Sequence, residues 1–195
     1  MSSKILGQQH PPRYKPISAK LFLPGRDQTN PDPFAYMVDK VKEIEISQEE
    51  AVFWLDGNGC WHNADGKFRH KKIIDYFHSS IKRDHKGYHL YQAQENYKEK
   101  VYFPYEDQAL FVFDVILEND IMLVLNTKKQ IKLKPRKLFI KDDGLYMTRG
   151  DETIKFAEKG LLKIAKILEE KEDMLYIRFK NRRYKIPTLT EKREF

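Results

Sequence analysis

Apolar residues recur with two different periods along this chain, and each change of period marks an element. Val52-Phe53-Trp54-Leu55 and Cys60-Trp61-His62 flank Asp56-Gly57-Asn58-Gly59, a run of residue types that tolerates positive φ. The stretch predicts a β-hairpin. Asn63-Ala64-Asp65-Gly66 is a second turn. From about Arg69 to Lys82 the spacing lengthens, and Ile73, Ile74, Phe77 and Ile81 fall on one helical face. Gly87 lies beyond the helix end; Tyr88 to Gln92 reads as a strand and Val101 to Tyr105 as another. Ala109 to Leu117 is apolar on both faces apart from Asp114, the pattern of a central strand. After the turn at Glu118-Asn119-Asp120, Ile121 to Leu125 returns. Gln130 to Lys134 alternates, with Ile131 and Leu133 inward and Lys132 and Lys134 outward.

The same order then comes again. Leu138-Phe139-Ile140 and Leu145-Tyr146-Met147 flank Asp142-Asp143-Gly144. Gly150-Asp151 turns the chain, and about Ala157 to Glu170 reads as a helix with Leu161, Leu162, Ala165 and Leu168 on one face. Met174 to Phe179 and Arg183 to Ile186 close as a hairpin around Lys180-Asn181-Arg182. Gly57 matches Gly144, Ile73-Ile74 match Leu161-Leu162, and Tyr88 matches Tyr176. The fold expected is α+β: two repeated hairpin–helix–hairpin units whose curled antiparallel sheets pack together. Each unit has few apolar residues beyond a minimal core, so the two must lean on each other.

Ahead of the units the pattern breaks. Pro11, Pro12, Pro16, Pro24, Pro31 and Pro33 are six of the nine prolines. They forbid a helix or central strand through residues 1–33, which read as an extended arm. Phe34, Met37, Val38, Val41 and Ile44 have helical spacing, with Asp32 as N-cap and Pro33 at the first helical position. A short leading helix to about Glu45 follows, although Glu43-Ile44-Glu45-Ile46 also alternates like a strand. The division is an arm at 1–33, a unit at 34–127 and a second unit at 128–195.

Several of these residues resemble a known bacterial family, that of domain of unknown function 1285. Its pattern is a hairpin with Gly and Trp, a helix with a Phe-containing segment, a Gly-Tyr strand, then Glu-Asp before an apolar strand. Here these are Gly59 and Trp61, Ile73-Ile74-Asp75-Tyr76-Phe77, Gly87-Tyr88-His89-Leu90, and Glu106-Asp107-Gln108-Ala109-Leu110-Phe111. The likeness covers about a third of the chain. Three features depart from it: the Tyr strand continues as Tyr91-Gln92-Ala93 where the family runs into Thr-Pro, no proline follows shortly after Glu106-Asp107, and the Pro-rich arm at 1–33 has no counterpart. The resemblance implies a fold, and a signalling role through ligand or partner binding; it brings no activity.

Composition narrows the classes. Of 195 residues, 41% are hydrophobic and 13% aromatic, enough for a core. The one cysteine, Cys60, has no internal partner, which favours a reducing compartment. The opening Met1-Ser2-Ser3-Lys4-Ile5-Leu6-Gly7 lacks the apolar run of a signal peptide. No segment approaches the roughly 20 apolar residues that span a bilayer. The expected location is cytoplasmic. A net charge of +7 permits an acidic partner without requiring one.

Catalytic signatures are weak. Cys60, His62, His70, His78, His85 and His89 crowd together but lack the paired spacing of a zinc site. Ser79-Ser80 lie in a helix, and Asp56-Gly57-Asn58-Gly59 lacks the remainder of a phosphate loop. No metal, cofactor or catalytic residue is expected. Glu106, Asp107 and Asp114 leave an enzyme as one alternative, with Arg178 a conceivable partner for a buried Asp114. Two basic runs remain: Lys128, Lys129, Lys132, Lys134, Arg136 and Lys137, and Arg178, Lys180, Arg182, Arg183 and Lys185. If their strands share a sheet, their charges share a face, to be neutralised by Glu169, Glu170, Glu172 and Asp173 or by an anionic partner. The expectation is a non-catalytic binding module for an anionic small ligand or acidic protein, held between the units. Its candidate residues are Lys132, Lys134, Arg178, Lys180, Arg183, Trp61 and Asp107. Tyr88, Tyr91, Tyr97, Tyr102 and Tyr105 beside basic strands make single-stranded nucleic acid the other alternative.

Overall fold

The computed structural model describes residues 42–93 and 97–189, and the statements below refer to these. The arm at 1–33 and the leading helix as far as residue 41 lie outside the described residues. Lys42–Ile46, expected to complete that helix, is instead a strand, β1. The Glu-Ile alternation prevails, because β1 pairs in parallel with a later strand and half-buries Ile44 and Ile46.

Strands β2 (Phe53–Leu55), β3 (Trp61–Asn63) and β4 (Gly66–Lys67) form a small antiparallel sheet, with both expected turns between them. Helix α1 (Lys71–Ser80) follows. It is shorter than the apolar spacing suggests. Ile81 leaves the helix at φ −62°, ψ 123° and opens β5 (Ile81–Asp84) opposite Leu90. Ile81 is therefore buried as a strand residue, while Ile73 stays 38% exposed. With β6 (Gly87–Ala93) and β7 (Tyr97–Tyr102), β5 builds a four-stranded sheet in the order β1-β7-β6-β5.

A six-stranded sheet is the centre of the molecule. It holds β8 (Leu110–Leu117), β9 (Ile121–Leu125), β10 (Gln130–Lys132), β11 (Leu138–Lys141), β12 (Gly144–Arg149) and β13 (Glu152–Phe156). The order is β10-β9-β8-β13-β12-β11, antiparallel except where β13 runs parallel to β8. Sequence reading passed over β13 because five residues after a turn carry little pattern; burial of Ile154 and Phe156 reveals it. Helix α2 (Glu158–Ile164) runs into a 3-10 turn at Ala165–Ile167. Leu168, expected on the helix, begins β14 (Leu168–Lys171), which pairs with β15 (Met174–Phe179) and, through it, β16 (Arg182–Lys185). The result is a mainly-strand architecture with two helices and curled sheets.

Two short parallel contacts join the ends of these stretches. Leu55 N donates to Pro104 O at 3.0 Å, and Glu106 N donates to Leu55 O at 3.0 Å. Ile140 N donates to Pro187 O at 2.9 Å, and Leu189 N donates to Ile140 O at 2.7 Å.

The core gathers around β8. Trp61 is 1% exposed and meets Phe53, Phe77 and Phe103 edge-on. It is a core residue, which removes it from any binding surface. Gly59, at φ +78°, lies so close to Phe111 that an added Cβ would come within 3.0 Å of the ring. On the α2 side, a Cβ at Gly160 would lie 2.4 Å from the carbonyl oxygen of Val112. Among the described residues, no helix is long and apolar enough to cross a membrane.

The approach of α2 to β8 yields a first prediction. Gly160→Ala forces helix and strand apart and should cost about 1–3 kcal/mol, despite the better helix propensity of alanine. Chemical denaturation checks this; an unchanged or raised midpoint would show that the contact is not tight.

Candidate functional site

Most of the predicted site residues lie on or beside the basic strands β10, β15 and β16. Strand β10 and the pair β15–β16 belong to different sheets. Lys132 and Lys180 nonetheless converge on one carboxylate, Asp120, at 2.8 and 2.7 Å. Hydrogen bonds from these two lysines, Lys132 first, hold Asp120 down at about 2. Arg178 and Arg183 share Glu169, at 3.3 and 2.8 Å. Lys134 is exposed, and its backbone N–H donates to the Met147 sulfur. The structure thus brings Lys132 and Lys180 together and Arg178 and Arg183 together, each pair around its own acid.

The acidic candidates are also engaged. Asp114 pairs with Lys159 at 2.8 Å and with Lys163, both on α2, rather than with Arg178. Lys159, then Lys163, holds its carboxyl far below the usual range. Glu106 accepts the Gly57 N–H at 2.9 Å. Asp107 receives Lys155 Nζ at 2.7 Å and the Tyr146 hydroxyl at 2.7 Å, while the same ammonium reaches Gly57 O at 2.8 Å. Partial burial works to raise the Asp107 carboxyl, but hydrogen bonds from Lys155, Tyr146 and Gln108 outweigh it and hold it low. These contacts clamp the turn between β2 and β3 onto the central sheet.

The histidines disperse. His62 pairs with Asp56 at 2.9 Å, and Asp56 also accepts the Asn58 and Cys60 N–H groups. His78 is buried; its Nδ1 lies 3.3 Å from Trp61 Nε1 and 3.3 Å from Asn126 Nδ2. Both are donors, so this nitrogen is the acceptor of a neutral ring. Burial pushes His78 down to about 4. Asn126 completes the network by accepting from Phe111 N and donating to Ala109 O. Among the described residues, no three His, Cys, Asp or Glu side chains gather as a metal site.

A further group of cations lies at a seam between the four-stranded and six-stranded sheets. A cavity of about 250 Å³ opens there over an apolar floor of Ile81, Leu110 and Leu125. Lys82, Arg83, Lys129 and Arg149 surround it, with Tyr88, Thr127 and Glu152. Arg83 lies over the Tyr88 ring at 5.4 Å and pairs at 2.8 Å with the exposed Asp151. Among the described residues, Lys82, Lys129 and Arg149 have no ion-pair partner. The Thr127 hydroxyl is buried without a hydrogen-bond partner. A second cavity, of about 260 Å³, lies beyond Tyr88 among Tyr102, Phe103 and Tyr105; its one cation, Lys86, is already paired with Glu45.

Of the seam residues, the sequence points to Lys129, as part of a basic run, and to Tyr88, among the aromatics beside basic strands. Lys82 ends the expected helix, Arg83 lies just beyond it, and Glu152 falls in β13, for which the pattern predicts no strand. A signal existed in retrospect: Lys82 follows buried Ile81 and precedes a Gly-Tyr strand, which is a strand context.

Fold and seam together define a mainly-strand α+β protein with a cation-rimmed cavity. No family model matches the chain, and no curated protein matches it. Solved structures that resemble it include two DUF1285 family proteins. The one from Silicibacter pomeroyi DSS-3 is 11% identical, with 74% of this chain and 81% of that one covered and a TM-score of 0.49. The one from Shewanella baltica OS155 is 16% identical, covering 55% and 84%, with a TM-score of 0.39. Both belong to the family that the hairpin, Gly-Tyr and Glu-Asp motifs resemble. Similarity at this level transfers neither a site nor an activity.

Two predictions concern the internal contacts. Lys155→Met leaves Asp107 without its cation and should cost about 1–3 kcal/mol at pH 7. A carboxyl held low in the folded state stabilises above its unfolded value, near 3.9, and loses that contribution as pH falls. The gap between wild type and variant should therefore narrow below about pH 4; a gap independent of pH would mean that packing, not charge, is lost. For His78 the imidazole is kept neutral, so its contribution is intact above about pH 6.5 and declines toward pH 4. Urea titrations across that window should lose on the order of 3 kcal/mol in wild type. A flat profile there would contradict the buried neutral ring.

Proposed function

We propose that this protein is a non-catalytic binding module whose seam cavity takes an anionic small ligand or the acidic group of a partner. The observation that carries this reading is that Lys82, Lys129 and Arg149, none of them in an ion pair among the described residues, line one cavity together with the apolar Ile81, Leu110 and Leu125. Like charges held together are unfavourable until water, salt or an anion screens them, so a bound anion gains where the free protein strains. Binding without chemistry accords with a regulatory or signalling role.

The cavity also falls between the two units if the chain is read as a repeat. Residues 53–106 and 138–189 each run as three antiparallel strands, a helix and three antiparallel strands. The parallel contacts of Leu55 and Ile140 occupy the same place in each. Strands β5 and β6 of the first unit and β12 and β13 of the second then both contribute to its lining. A nucleic-acid face on β10 and β15–β16 has less support, because Asp120 and Glu169 already meet four of its cations.

Calorimetric titration with inorganic phosphate at low ionic strength tests the proposal. Lys82→Gln with Arg149→Gln should weaken binding at least about tenfold, the scale set by losing two charge-assisted contacts. Replacing Lys132, Lys134, Arg178 and Lys180 by Gln should leave binding nearly unchanged. The reverse result would move the site to the basic strands, and capture of a labelled oligonucleotide abolished by the second set would favour a polymer.

A further inference from the structure

The seam cavity contains one group that a simple anion site would not. Glu152 lies among the four cations, and its charge opposes any anion that enters. It forms no ion pair with them among the described residues, although its charge acts on Arg83. Arg149 stands directly opposite in the β12–β13 ladder, yet the two form no ion pair. The Tyr88 hydroxyl donates to Glu152 Oε1 at 3.3 Å and takes no part in neutralising it. Burial and the neighbouring Glu152 charge push the Tyr88 phenol upward, so it keeps its proton and remains a donor. Glu152 Oε2 accepts no hydrogen bond from the described residues. The carboxylate is thus oriented by Tyr88, with one oxygen free beside the cavity.

From this arrangement we infer that the ligand carries hydroxyl donors together with its anionic group: a small phosphorylated polyol of sugar-phosphate size, with Glu152 as the hydroxyl acceptor. The inference rests on the anion-binding reading above and specifies its ligand. Each wall then has a partner. Lys82, Lys129 and Arg149 meet the phosphate, and the orphaned Thr127 hydroxyl gains an oxygen to bond. Glu152 Oε2 accepts from the polyol, converting a repulsive charge into a charge-assisted hydrogen bond. Ile81, Leu110 and Leu125 offer an apolar surface to the carbon skeleton. A cavity of about 250 Å³ lies just below the roughly 300–1,000 Å³ typical of drug-sized ligands, which excludes a dinucleotide and leaves room for a monosaccharide phosphate. Specificity follows from leaving the acceptor unpaired when the hydroxyl is missing.

The test compares two probes on the full chain: ribose 5-phosphate, and propyl phosphate, which keeps the phosphate and lacks the hydroxyls. Wild type should bind ribose 5-phosphate at least about tenfold more tightly, the scale of one charge-assisted hydrogen bond. Glu152→Ala should shift the two in opposite directions, weakening ribose 5-phosphate and strengthening propyl phosphate. A variant that only unfolds the site would weaken both, so the crossing separates recognition from damage. Tyr88→Phe, which frees the carboxylate without removing it, should reduce the preference while retaining phosphate binding. Equal affinity of the two probes for wild type overturns the polyol inference and leaves the anion cavity standing. Tighter binding of phosphoethanolamine than of ribose 5-phosphate overturns it in favour of an ammonium-bearing ligand. Absence of saturable binding by any phosphate probe overturns the anion cavity and the polyol inference with it.

Discussion

Strand β8 is apolar on both faces, and the architecture is largely the consequence of having to cover both. Phe111 and Phe113 stand against the turn at Gly59, with Phe113 edge-on to His78 of α1. The backbone of Val112 meets α2 at Gly160. Close approach on both sides requires two glycines, one for its positive φ and one for its lack of a side chain. Burying β8 also buries polar groups near it. The His78–Trp61–Asn126 network satisfies them, and it ties β3, α1 and the segment after β9 into one core. Lys155 and Asp107 then fix the covering turn from outside.

Distribution of charge follows from the same packing. At three places a single acid serves two cations: Asp120 for Lys132 and Lys180, Glu169 for Arg178 and Arg183, Asp114 for Lys159 and Lys163. Such exposed pairs add little stability, but they quench the local field. At the seam, Leu110 and Leu125 line a cavity in which Lys82, Lys129 and Arg149 form no ion pair among the described residues, although Glu152 shares the lining.

Turns and alternating strands were the legible part of this sequence. Asp56-Gly57-Asn58-Gly59, Asp142-Asp143-Gly144 and Lys180-Asn181 announce themselves through residue types that adopt positive φ, and Asp142, Asp143, Lys180 and Asn181 do so. Helix ends were not legible, because Ile81 and Leu168 continue the helical spacing while tertiary pairing draws both into strands. The candidate site was less visible still. Basic runs are conspicuous in sequence, but whether a cation is neutralised depends on acids distant along the chain, as Asp120 is from Lys180. Trp61 likewise looked like recognition surface and is core. The seam assembles its cations from three separate segments, none of which is a motif.

Backbone amide resonances followed during titration with inorganic phosphate at low ionic strength test the central claim most directly, since they locate a bound anion without presuming its identity. The account predicts saturable shifts confined to residues 81–83, 127–129 and 149–152. Saturable shifts centred on Lys132, Arg178, Lys180 and Arg183, with the seam unmoved, would contradict it.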